Sequence, residues 1–404
     1  MIGKSMWMFD EARRPVLILG VAQALYLSAV SVIFTFSGLV GATLAPTPSL
    51  ATLPVALITV VTAVTTIPAS LLMARIGRRA GFQIGAFAGA AGAGLAAWGI
   101  AGDDFVLFCL GNALMGAFQA SAMYYRFAAA DLAAPDFRSR AVSWVLAGGV
   151  AAALIGPEIA ARTRTLAPAT DYMGAYIAAA LLALLSIALL AALRAPSPVV
   201  ETQADAGGRP LLTIMRQPVF LVAALNAALA YVVMSFVMTA SPLAVVAAGY
   251  GVDAAAGVTR WHLIGMFAPS FFTGGLIARF GVRRILVAGV LLSVASLAIA
   301  LSGSALPGFQ ASLLLLGIGW NFLFIGGTTL LTEAYSPAER ARTQAANELL
   351  VFGATAVATL AAGAVQTGQG WAVVNIIAFP ALLVAGLATV WFSARRRNAG
   401  AEGA

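Results

Sequence analysis

The chain has 404 residues, of which 61% are hydrophobic and only 9% charged. That charge content lies far below the roughly 25% of a soluble domain and excludes one. The net charge of +8 could suggest nucleic acid, but its placement along the chain, given below, reads instead as membrane topology, and the lone Cys109 excludes an intrachain disulfide.

The polar stretch "MIGKSMWMFDEARRP" runs straight into the first apolar segment and does not read as a cleavable signal. Apolar segments then follow at approximately 15–38, 50–74, 80–101, 104–130, 139–160, 172–193, 218–241, 257–278, 284–303, 309–332, 342–366 and 371–393. Each is long enough to cross about 30 Å of hydrocarbon as a helix. Backbone polar groups must be satisfied internally there, so the spacing predicts an all-α membrane protein of twelve spans. The polar, Pro- and Gly-containing stretch 195–216 reads as a linker between six-helix bundles at 1–194 and 217–404. Numbering the loops alternately puts Lys4, Arg13, Arg14, Arg75, Arg78, Arg79, Arg138, Arg140, Arg194, Arg209, Arg216, Arg279, Arg283, Arg284, Arg340, Arg342 and Arg395 to Arg397 on one side. The other side holds only Arg162, Arg164 and Arg260. Positive charge favours the cytoplasmic side, so both termini are expected there.

The halves repeat. "SLLMARIGRRAGF" and "GGLIARFGVRRIL" align with Gly281 opposite Gly77, an offset of 204, and "PDFRSRA" aligns with "PAERART" at an offset of 202. Two matches near half the chain length indicate a duplicated bundle. The Arg-rich turns carry a resemblance to the major facilitator superfamily, whose pattern there is G-x-L-a-D-R-x-G-R-R. Arg75, Gly77, Arg78 and Arg79 keep it in the first half, and Arg279, Gly281, Arg283 and Arg284 in the second. The acidic position is Ala74 in one and Ala278 in the other. The resemblance implies two pseudo-symmetric six-helix bundles and alternating access. No phosphate-binding loop or hydrolase motif is present, so a transporter is expected and not an enzyme.

Met234 and Met238 sit one helical turn apart in the seventh segment; His262, the only histidine, and Met266 do so in the eighth. Met234 with Met266, and Met238 with His262, stand at equal distances from the turn at Gly249–Gly251. In a hairpin they would form two rungs about 6 Å apart. Methionine also fills irregular apolar gaps. Three thioethers and an imidazole suit Cu(I), so packing and ligation both stay open on residue chemistry.

"MSFVM" and "HLIGM" are similar to the marks of the CcoA-like copper importers, a bacterial branch of the superfamily. That resemblance implies Met234, Met238, His262 and Met266 as metal ligands and copper as transported substrate, with no permanently bound cofactor. It further implies copper chaperones as partners, supply of copper to cbb3-type haem–copper oxidase, and a monomer in the bacterial inner membrane. The related RfnT-like branch, associated with riboflavin, is the alternative, together with a proton-coupled drug exporter. Riboflavin would need aromatic stacking and amide or hydroxyl hydrogen bonds. Tyr26, Asn112, Trp144, Asn226, Trp320, Asn321 and Asn347 are the candidate cavity-lining residues. Arg126, Asp131 and Glu348 are candidates for gating or proton coupling, Arg126 alternatively as a snorkelling anchor.

Overall fold

The computed structural model describes residues 2–133, 138–167, 170–194, 208–336 and 339–401. The stretch 195–207 of the expected linker lies outside them. The first half contributes α1 (Ile2–Leu44), α2 (Leu53–Ile76), α3 (Arg78–Ala101), α4 (Phe105–Ala122), α5 (Tyr125–Leu132), α6 (Arg138–Thr163) and α7 (Met173–Ala191). A short α8 (Leu211–Met215) leads into α9 (Pro218–Ala247), α10 (Val252–Phe267), α11 (Ser270–Phe280), α12 (Val282–Leu301), α13 (Leu306–Leu331), α14 (Arg340–Gln369) and α15 (Trp371–Ala401). Among the described residues 11 helical stretches are long and apolar enough to cross a membrane, and α10 with α11 makes a twelfth when the bent pair counts as one span.

The chain divides into two compact units: Met1–Val200 with Ala255–Arg260, and Glu201–Ala254 with Trp261–Ala404. Close helix contact in the first unit rests on small residues. A Cβ on Gly111 of α4 would stand 2.5 Å from both Ala96 N and Gly92 O of α3. Membrane helices associate by such backbone approach, because lipid tails offer no hydrophobic drive between them.

The aligned glycines of the repeat have a shared structural task. Gly77 joins α2 to α3 at φ 87°, ψ 155°, and Gly281 joins α11 to α12 at φ 83°, ψ 146°. Only glycine adopts this backbone without strain. The two Arg-rich turns therefore repeat as backbone geometry as well as sequence.

The eighth segment departs from a straight span. It bends by 41° between α10 and α11. Pro269 at the break has no N–H, and its ring would clash with the carbonyl of Gly265 in a continuous helix.

Candidate functional site

The Arg-rich turn of the first unit supplies an ion pair: Arg78 pairs with Asp131. The carboxylate missing at position 74 is thus replaced by one from the end of α5. Asp131, expected near a gate, is spent on Arg78, while the Arg126 guanidinium lies over the Phe127 ring, 4.8 Å from its centroid. Arg75 and Arg79 flank that turn; Arg279, Arg283 and Arg284 flank its counterpart, with Arg279 over the ring of Phe280. Glu348 lies half-buried on α14.

The candidate polar side chains separate by what their groups already do. In the first unit, Asn112 is fully buried; its Oδ1 accepts from Ser37 Oγ at 2.8 Å and its Nδ2 donates to Phe108 O at 2.8 Å. Tyr26 packs edge-on against Phe118 at 5.1 Å. Trp144 is 39% exposed and borders an open apolar groove with Val16, Leu17 and Gly20 of α1. In the second unit, Asn226 donates to Val222 O at 2.9 Å and exchanges hydrogen bonds with Thr389 of α15. Asn321 donates from Nδ2 to Met266 O and Ser270 Oγ, both at 2.7 Å, and accepts from Thr273 Oγ1 at 2.6 Å. Buried polar groups are normally satisfied in this way. Asn321 therefore serves the bend between α10 and α11.

Trp320 and Asn347 differ. Both are buried, yet the Trp320 indole nitrogen and the Asn347 side-chain oxygen have no hydrogen-bond partner among the described residues. Trp320 stacks on Phe324, one turn along α13, with centroids 4.9 Å apart and planes 15° apart. Tyr231 of α9 meets Trp320 and Phe324 edge-on, both at 5.1 Å, and Phe352 of α14 at 5.4 Å. Both α13 and α14 pack on α9, so the second unit gathers an aromatic cluster from three helices. Tyr231 and Phe324 keep part of their surface uncovered. On α14 a buried polar stripe, Thr343, Asn347, Thr355 and Thr359, recurs at helical spacing. Its threonine hydroxyls donate to carbonyls one turn back, which leaves the Asn347 oxygen unspent.

Met234, Met238, His262 and Met266 are all buried in the second unit. The Met234 and Met238 sulfurs accept weakly from Ser235 and Ser241 Oγ, each at 3.9 Å. His262 Nδ1–H donates to Leu313 O of α13 at 2.9 Å. Its backbone lies against α13 as well: a Cβ on Gly317 would stand 2.4 Å from His262 O. The histidine and Met266 thus belong to a tight α10–α13 seam.

Sequence reading missed several residues that the structure puts to use. Glu339, buried, accepts from Arg209 N, Nε and Nη2 and from Ser336 N at 2.7–3.0 Å. Arg209 and Gln217 also donate to Ala334 O, so the approach to α9 is pinned on the turn before α14. Tyr231, Phe324 and Phe352 read as ordinary apolar positions; the i,i+4 spacing of Trp320 and Phe324 was the available signal.

The Major Facilitator Superfamily profile matches residues 19–268 and 258–404. The chain belongs to this superfamily, and it is a membrane transporter. Among curated relatives, the riboflavin transporter RfnT of Brucella anthropi is 42% identical over 370 residues, covering 91% of this chain and 93% of that one. The uncharacterized transporter YddS of Bacillus subtilis is 28% identical, covering 86% of this chain and 83% of that one. Among solved structures, the nucleoside transporter NupG superposes with a TM-score of 0.71 at 16% identity, covering 93% of this chain and 99% of that one. The human organic anion transporter MFSD10 does so with a TM-score of 0.66 at 16% identity, covering 94% and 99%. These two likenesses establish the fold.

The RfnT relative overturns the copper expectation. Copper as cargo, copper chaperones as partners and supply of a haem–copper oxidase fall with it. Thioethers are neutral and apolar enough to serve as packing; His262 gives Nδ1 to the α10–α13 seam, and its Nε2 has no hydrogen-bond partner among the described residues.

Proposed function

We propose that this chain carries riboflavin across a bacterial cytoplasmic membrane. The observation that supports it best is the 42% identity to a riboflavin transporter over nine-tenths of both chains. A flavin is a planar, largely apolar ring with an imide edge and a hydroxylated side chain. It calls for aromatic surface and a few unspent hydrogen-bonding groups, which fits the cluster around Trp320. Alternating access by rocking of one bundle against the other is the mode this fold supports. Both termini face the cytoplasm in this reading, because the loops on that side carry nearly all the arginines.

The test is paired uptake of radiolabelled riboflavin and radioactive copper in cells that lack their own carriers. Riboflavin should accumulate several-fold over cells without the protein, and copper should not. No flavin accumulation from a chain that reaches the membrane would reject the proposal.

A further inference from the structure

We infer that Glu158 is the centre of a charge latch at the outer end of the carrier: Arg260 of α10 closes it, and Arg162 holds the carboxylate when it opens. The latch follows from alternating access in the reading above and does not depend on which cargo is carried.

The loops on the outer side carry only Arg162, Arg164 and Arg260. Two of these three meet at Glu158, although Arg260 lies 102 positions away in the chain. Arg162 Nε donates to Glu158 Oε1 at 2.7 Å from one turn along α6, and Arg260 Nη2 donates to Oε2. Each carboxylate oxygen thus has its own arginine.

The elements that carry these groups suit a latch. Up to Gly156, α6 is seated on α1: a Cβ there would stand 2.8 Å from Ser31 Cβ. Pro157 follows inside the helix and gives no N–H to the Ala153 carbonyl. The turn with Glu158 and Arg162 is therefore the part of α6 least tied to the rest. For its part, α10 is divided. Ala255–Arg260 groups with the first unit, whereas the residues up to Ala254 and from Trp261 onwards group with the second. Arg260 is the last residue that the first unit holds. A carrier that works by rocking its bundles must give up such a grip when its outer end opens.

The charges allow that release. Breaking an ion pair is most unfavourable where it strands a bare charge. Glu158 is never bare, because Arg162 stays beside it on the same helix. Arg260 is 35% exposed and reaches solvent, and its Nε has no hydrogen-bond partner among the described residues even with the latch closed. With Glu158 41% exposed, the Arg260 pair shifts a two-state equilibrium by about two- to fivefold.

The experiment uses the full chain in nanodiscs without cargo. Spin labels at Ala101→Cys and Ser302→Cys mark the outer ends of α3 and α12, in a Cys109→Ser background, and double electron–electron resonance reads their separation. Arg260→Gln should raise the ratio of longer to shorter distances about two- to fivefold, and Glu158→Gln should do the same. The double variant should go no further than either single one. Arg162→Gln should move the ratio the other way, because Arg260 then has the carboxylate to itself. Distances unchanged by Arg260→Gln and Glu158→Gln overturn the latch, and a lowered melting temperature alone would mark the pair as packing. A shift of the same sign from Arg162→Gln overturns the sharing of Glu158. If the variants fail to fold, the labelled chain with all three charges decides: raising salt from about 0.05 to about 1 M should lengthen the distances by screening the pair, and an unchanged distribution overturns the latch. None of these readouts uses riboflavin, so failed uptake leaves the latch standing and a failed latch leaves the cargo standing.

Discussion

Replacing Asn321 with alanine tests how a transmembrane segment survives a proline break. The bend at Ala268–Pro269 interrupts the ladder of α10 and α11. Asn321, fully buried on α13, bridges the break: it donates to Met266 O on one side and Ser270 Oγ on the other, and accepts from Thr273 Oγ1 a turn further on. Freed backbone groups inside a bilayer must be recovered by neighbouring helices. Hydrogen bonds between membrane helices average about 0.6 kcal/mol and reach about 1.7. The three bonds of Asn321 together contribute about 2 kcal/mol, with a ceiling near 5. For a unit of about 200 residues, 2 kcal/mol corresponds to a fall in Tm of about 4–8 °C.

The assay is thermal unfolding followed by circular dichroism at 222 nm in nanodiscs. Truncation also loses packing, so the bonds are isolated by a double-mutant cycle with Thr273→Val. The single hydroxyl proton of Thr273 is shared between Asn321 Oδ1 and Pro269 O. The valine substitution should cost less in the Asn321→Ala background, where only the Pro269 bond remains to be lost. Strictly additive effects, or an Asn321→Ala melt within a degree of the unaltered protein, would refute the bridging role.

Other outcomes follow from the same geometry. Gly111→Ala forces a Cβ against Ala96 N and Gly92 O at 2.5 Å, so α3 and α4 must part by about 1 Å, at roughly 1–3 kcal/mol. Because Cys109 is buried and the only cysteine, a thiol-reactive dye should report that variant unfolding several degrees earlier. Arg209 and the Ser336 and Arg209 N–H groups hold the Glu339 carboxyl well below the usual carboxylate range. A depressed folded pKa contributes stability above the unfolded value, about 4.5, and loses it as pH falls towards the folded one. The Tm gap between the unaltered chain and Glu339→Gln should therefore be constant from pH 8 to about 5 and narrow below about 4.5. The Arg78–Asp131 pair has Asp131 63% exposed, so Asp131→Asn should move stability by less than about 1 kcal/mol in a denaturation series.

How far the sequence could be read depended on which physical signal each feature leaves. Span positions follow from apolar run length, and the Gly77 and Gly281 turns from a spacing that recurs half a chain apart. Both signals are local, and the turns share one backbone conformation. The bend at Pro269 falls inside a span read as continuous over 257–278, and the side chain that mends it left no local signal, because Asn321 lies 52 residues further along the chain. Glu339 left no signal either: its partner Arg209 stands 130 positions away.

Substrate identity is harder to read for a reason that the second unit makes concrete. Residue type says what a side chain could bind, whereas its partners determine what it still has to offer. Seven candidate cavity residues were legible as polar or aromatic side chains in apolar spans. Packing then spends the amides of Asn112, Asn226 and Asn321 on the protein itself and leaves the Trp320 N–H and Asn347 oxygen over. The same test divides His262: its Nε2 has no hydrogen-bond partner among the described residues, while its other ring nitrogen is spent. His262 uses Nδ1 to join α10 to α13, beside a glycine whose missing side chain lets the backbones touch. A His262→Ala protein should therefore lose stability through that seam, by about 1–3 kcal/mol for the unpaired Leu313 carbonyl, while copper accumulation stays at the level of cells without the protein. A rise in copper uptake that depends on His262 would show instead that the imidazole is held for a ligand, and would reverse the assignment of the seam as packing.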